Sequence, residues 1–300
     1  MRRRPVGRGW EPDSNQSALN LMGKKSRQKR LGRSNSKCIF CERPGVSKEH
    51  IWSEWMHPIL GISSDAEAVE FFKVHANKAD YLGTLKVRNR QGSTTTKTVR
   101  VVCRDCNHGW MNDLEQESRP LLGPLLLGEP VSLLPGGREL VAQWITMKLL
   151  VGEHAQHDIA VASQADRNAF MRERRIPDSV KIWIGQIDSQ KWKHGWQRHA
   201  ATLTWPGEAP PNPFRKNVQT TVFGAGKLFV FAMISYLADY QGGPAEALAN
   251  VLPRLWPLST QPWPPQRLVT DQEADGFAAY LDNVLRRPNV GWHPQPREGV

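Results

Sequence analysis

Four cysteines constrain this chain more than any other feature, because they fall as two pairs of identical spacing, Cys38-x-x-Cys41 and Cys103-x-x-Cys106. No cysteine lies outside the pattern. Two such knuckles offer four thiolates to one centre, which suits the tetrahedral coordination of zinc. A redox pair or free buried thiols are the alternatives, and neither accounts for the equal spacing. The 61 residues between the pairs exceed what a simple zinc ribbon needs, so the intervening loop is free to carry other structure. A four-thiolate site has no open coordination position. The zinc is therefore expected to hold the fold and to do no chemistry.

The 300 residues allow two domains, and 39% hydrophobic content allows a core of ordinary size. The charge is less ordinary: 40 Lys and Arg against 29 Asp and Glu give net +11. A polyanion is the natural partner of such a chain, since each neutralised phosphate releases a counterion; simple solubility is the plainer reading. The longest apolar run, Leu228 to Ala238, is too short to span a bilayer. The basic N-terminus has no apolar stretch behind it, unlike a secretory signal. The expected setting is the cytoplasm, without membrane association, where disulfides are rare.

Most of the positive charge sits in residues 1–36, which hold ten Lys or Arg against Glu11 and Asp13. With few apolar residues, this segment is expected to be a disordered basic arm that settles on nucleic acid, or a solvated tail. Residues 37–118 form a compact, motif-rich module. Residues 119–138, punctuated by Pro and Gly, read as a connector. Residues 139–288 read as a second α+β domain with an antiparallel sheet, and 289–300 as a tail. Within that domain, Glu139 to Val151 has helical periodicity. Strands are expected at Lys181–Ile187, His199–Trp205 and Val218–Phe223, followed by the apolar run Leu228–Ser235 and a closing helix over Glu273 to Arg286.

Two further motifs flank the knuckles. Ser47-Lys48-Glu49-His50-Ile51-Trp52 follows the first, and Cys106-Asn107-His108-Gly109-Trp110 continues the second. Glu49-His50-Ile51, followed by Cys103-Arg104-Asp105-Cys106-Asn107, resembles the HNH endonucleases, the ββα-metal class in its zinc-knuckle form. The resemblance covers roughly Cys38 to Glu117 and does not reach the second domain. It implies a treble-clef-like ββα-metal module stapled by zinc. It also implies His50 as general base, and Glu49 and Asn107 as ligands of a catalytic divalent cation. In place of the family's middle asparagine, which orients the histidine, this chain has Thr96 to Val102. Thr98, or Asn89 from an extended hairpin, is the candidate orienter.

The chemistry agrees with the resemblance. Phosphodiester hydrolysis needs a water, a base for its proton and a cation for the developing charge. Histidine has a suitable reference pKa for the base. Mg²⁺ or Mn²⁺ prefers hard oxygens, such as those of a Glu carboxylate and an Asn amide. A helix starting near Asn107 would also turn N–H groups toward phosphate. His108 and Asn112 are adjacent candidates. Trp52, Trp55, Trp110 and Leu114 read as packing residues, and no spacing recommends His57 or His75. Lys191 to Arg198 interleaves basic and aromatic residues, which suits either base stacking or a packed hairpin tip.

The expectation is thus an α+β protein that cuts double-stranded DNA with a divalent cation. A non-catalytic zinc-knuckle nucleic-acid-binding protein is the alternative. A third reading gives the main role to the C-terminal domain, as a recognition unit for another protein.

Overall fold

The computed structural model describes residues 36–61, 68–73, 85–90, 98–155, 160–203, 216–237, 240, 248–281 and 283, with backbone alone for 68–73 and 85–90. The basic arm over 1–35, His75 and the tail beyond 283 lie outside these residues. The chain is mixed α+β. A small antiparallel pair joins β1 (Ser47–His50) to β4 (Thr98–Val102), and a separate ribbon joins β2 (Ala68–Lys73) to β3 (Leu85–Arg90). A single 3-10 turn, Glu54–Met56, leads from β1 into the short helix α1 (His57–Leu60).

After β4 the chain turns helical at Arg104. It passes through a wide turn at Asn107–Met111, kinked at Gly109, and runs on as α2 (Asn112–Leu127). This helix crosses the stretch expected to be a connector and contains Pro120 and Pro124. Each proline deprives one carbonyl of its donor, but Leu114, Leu122, Leu125 and Leu126 share a buried face. That burial, roughly 1.5–3 kcal/mol per side chain, outweighs the lost hydrogen bonds. The helix ends at Gly128 in the left-handed region. Its last turn abuts the tip of a sheet hairpin: Lys227 N donates to Leu126 O at 2.7 Å, and a Cβ on Gly226 would lie 2.2 Å from that oxygen. Only glycine fits there.

Helix α3 (Pro135–Gly152) and helix α4 (Gln164–Glu173), the latter capped by the Ser163 side chain, precede a five-stranded antiparallel sheet. Its strands are β5 (Val180–Gln186), β6 (Trp196–Ala201), β7 (Val218–Ala225), β8 (Leu228–Ser235) and β9 (Arg254–Trp256), in the order β6-β7-β8-β5-β9. Strand β8 explains its own continuous apolar run. Leu228, Val230, Ala232 and Ile234 belong to one core, and Phe229, Phe231 and Met233 to another on the opposite face. A strand covered on both sides needs no polar alternation. Helix α5 (Asp271–Ala278) closes the second core with Phe277. It begins two residues before its expected start, because Thr270 and Glu273 form a capping box.

Strand β6 begins at Trp196 rather than His199. Pairing with β7 sets this start, with Trp196 opposite Phe223. Trp196 stacks on Phe223 with centroids 5.0 Å apart, while Trp192 is buried and donates to Asp275. The tryptophans of Lys191 to Arg198 therefore serve packing.

One core runs from the knuckles into the sheet. Trp52, 1% exposed, lies edge-on to Trp196 at 5.7 Å and Phe223 at 5.4 Å. Trp52→Ala is expected to cost about 3–5 kcal/mol by leaving a cavity. Urea unfolding would show it as a lower midpoint at unchanged slope.

Candidate functional site

The first knuckle is a tight loop. Cys38 N donates to Arg43 O, Glu42 N to Cys38 O, and Ile39 N to Val101 O of β4, all at 2.9 Å. The second knuckle is the start of a helix: Cys103 caps it, with its Sγ accepting from Cys106 N at 3.4 Å. The four Sγ atoms lie within 4.8 Å of one another, with Cys41 and Cys103 3.5 Å apart. Thiolates bound at 2.3 Å around one zinc stand about 3.8 Å apart, so the cluster fits a four-thiolate zinc site. No cysteine is in a disulfide.

Burial pushes the Cys38 and Cys106 thiols up. For Cys41 burial acts the same way, but hydrogen bonds from Arg43 outweigh it and bring the thiol down to about 6. Buried thiols of raised pKa keep their protons unless a cation replaces them, as zinc does. Helix α4 seals the cluster: Met171 Sδ lies 3.9 Å from Cys106 Sγ, and Gln164 donates to Ile39 O at 2.8 Å. Phe40 meets Trp110 edge-on at 4.9 Å, and Trp110 meets Phe170 at 5.7 Å.

The structure brings the sequence candidates into one neighbourhood and engages them unequally. His50 ends β1, opposite Thr98 of β4. Its side chain is 30% exposed, and Nε2 lies 3.3 Å from Glu54 Oε1. Its Nδ1 is buried without a hydrogen-bond partner. Asn107 is tied to β1, donating from Nδ2 to Lys48 O at 3.1 Å and to Ser47 Oγ at 3.4 Å. Both bonds use its nitrogen, so the amide oxygen is uncommitted among the described residues. Thr98 occupies the position opposite His50 without a hydrogen bond to the ring. The side chain of Asn89, opposite Val69 in the ribbon, lies outside the described residues.

Glu49 departs most from expectation. It is buried, and Lys148 of α3 takes one of its oxygens at 3.3 Å. Lys148 also holds Glu115 of α2 at 2.6 Å and donates to His50 O at 3.4 Å. Glu115 additionally accepts from Ser53 Oγ. Burial alone would lower the Lys148 pKa, but Glu115 and Glu49 outweigh it and raise it above its ordinary value. Burial likewise opposes ionisation of Glu115, yet the Lys148 charge holds its carboxyl low. Both groups are thus charged in the folded state. The share of stability due to Glu115 is present above the unfolded carboxyl pKa of about 4.3 and is lost as pH falls through the lower folded value.

Lys148→Met would leave two carboxylates facing each other in the core and should cost about 3–5 kcal/mol at pH 7. Unpaired carboxyls have raised pKa values, so the deficit should shrink below about pH 5, where they take up protons. Thermal melts of the variant at both pH values check this, and an equal deficit at each would reject it.

The helix terminus behaves differently from expectation. The helical backbone starts at Arg104, before Asn107, and the amides of Cys106 and Asn107 turn to Sγ and O of Cys103. Those N–H groups serve the cysteine cluster, so they do not address phosphate. His108 and Asn112 are exposed, while Leu114 is buried in the core. His57 packs its ring 5.8 Å from that of His50, and its Nε2 donates to Trp52 O at 3.2 Å.

Glu54, Glu115 and Lys148 escaped sequence reasoning, which considered His57 but found no spacing to recommend it. Only Glu54 carried a signal, its position four residues after His50. Among the described residues no helix is long and apolar enough to cross a membrane. Compared with known proteins, the chain matches no protein-family model, no curated protein and no solved structure.

Proposed function

We propose that this chain is a divalent-metal-dependent endonuclease of the HNH kind, hydrolysing phosphodiester bonds of double-stranded DNA on a zinc-stapled ββα scaffold. One observation carries the reading: Asn107, from the helical turn after the second knuckle, is bonded to the strand that ends in Glu49 and His50. A candidate ligand from the second knuckle thus lies against the strand that carries Glu49 and His50, beside a site that fits zinc.

In this reading His50 takes the proton of the attacking water. The amide oxygen of Asn107 and the second carboxylate oxygen of Glu49 would hold Mg²⁺ or Mn²⁺. Such a cation would offset the negative charge that develops on the phosphate. The net charge of +11 favours a polyanionic substrate. Incubating purified protein with supercoiled plasmid, with and without Mg²⁺ or Mn²⁺, tests the reading: nicked and linear DNA should accumulate only with the cation.

A second reading, nucleic-acid binding without cleavage, is favoured by the engagement of Glu49 with Lys148, which leaves fewer free oxygens for a catalytic cation. Tight binding with no cleavage under any divalent cation would select it.

A further inference from the structure

The His50 ring has two nitrogens and one partner. Nε2 faces the carboxylate of Glu54, and Nδ1 is enclosed by protein with nothing to bond. An ionised carboxylate only accepts hydrogen bonds, so this contact requires a proton on Nε2. The opposite tautomer would bury an N–H without an acceptor and set the Nε2 lone pair against a negative oxygen, and both cost free energy. Thr98, opposite His50 in the β1–β4 pair, makes no bond to the ring. His57 gives its Nε2 proton to Trp52 O and meets His50 through a ring contact.

We infer that Glu54 is the positioning residue of His50, holding it as the Nε2–H tautomer, so that its lone pair lies on the enclosed Nδ1 and meets water only when the residues around that atom part. This deepens the nuclease reading, since a general base needs one fixed tautomer. Glu54 sits at the first position of the 3-10 turn after β1, four residues from His50. That turn therefore sets the ring as well as reversing the chain. The Glu54 side chain is 79% exposed, so replacing it leaves the core intact.

The test has two arms. In the first, ¹⁵N-labelled histidines are read by long-range ¹H–¹⁵N correlation at neutral pH, with the His50 signals identified by their loss in His50→Gln. Wild type should show a protonated Nε2 and an unprotonated Nδ1. Glu54→Gln keeps an acceptor oxygen and should keep that tautomer, whereas Glu54→Ala should give a mixture. In the second arm, Glu54→Ala should lower kcat roughly 10–100-fold at unchanged KM, the modest size reflecting solvent exposure of the bond, and Glu54→Gln should recover part of it. A wild-type His50 protonated at Nδ1, or a Glu54→Ala protein with unaltered tautomer, would overturn the inference. The first arm decides it even for a protein that never cuts DNA. Failure of the nuclease reading and failure of the Glu54 assignment therefore show separately.

Discussion

Cys103→Ser is expected to abolish stoichiometric zinc binding, from about one ion per chain to none, and to unfold the knuckle segments. Three roles meet at this residue. Its Sγ is one corner of the four-sulfur cluster, the same atom accepts from Cys106 N, and its carbonyl accepts from Asn107 N at 3.0 Å. Structural zinc sites contribute apparent binding energies of about 10–16 kcal/mol near pH 7, comparable with the whole stability of a typical domain, about 5–15 kcal/mol. The damage should spread beyond the knuckles. Phe40, Trp110 and Phe170 form one chain of ring contacts into α4, so losing the cluster loosens that helix too. Elemental analysis and thermal melts, with and without a strong chelator, check the prediction. A protein that purifies without zinc and melts at the wild-type temperature would refute it. Chelation should also weaken at higher pH, because zinc binding displaces thiol protons.

His50→Ala should remove most DNA cleavage while leaving fold and binding in place. A positioned general base contributes about 10²–10⁴-fold, so cleavage should fall by that factor in kcat. The fold should survive for a specific reason: the bond from Lys148 to position 50 goes to the backbone carbonyl, and the lost ring was partly exposed. DNA affinity should survive because phosphate contacts rest on lysine and arginine. Asn107→Ala is the companion test. It too should lose cleavage, and higher Mg²⁺ or Mn²⁺ should restore part of it, since its fault is weakened cation binding. A base defect has no such rescue. Equal cleavage by wild type and His50→Ala would end the catalytic assignment. Equal binding with no cleavage by either would leave the zinc-knuckle binding reading.

Much of this site was legible before any fold was known. The spacing of each cysteine pair is a local property: two thiolates reach one metal only across a short turn, so the three-residue step itself encodes the ligand geometry. Helix α3 and strands β5 and β7 were also readable from their sequence pattern, while helix α4 and strand β9 were not. For β8 the apolar run was readable, and its burial on both faces came from the fold. The helix through Pro120 and Pro124 was not legible. Local preference argues against it, and burial of Leu122, Leu125 and Leu126 against distant partners decides for it.

The ion network of Glu49, Lys148 and Glu115 belonged wholly to tertiary structure. Glu49 meets Lys148 across 99 positions of chain, and nothing near either residue hints at the other. The pairing exists because α3 packs against α2 and β4, which leaves the buried Lys148 ammonium between Glu115 and Glu49. The sequence by itself determined which residues can hold zinc and which carry the proposed chemistry, since both follow from side-chain type and short spacing. Tertiary structure alone decided that Glu49 is shared with Lys148 and that Asn107 bonds to Lys48. Those contacts depend on where packed elements cross, and burial of apolar faces, not the polar residues themselves, sets the crossing points.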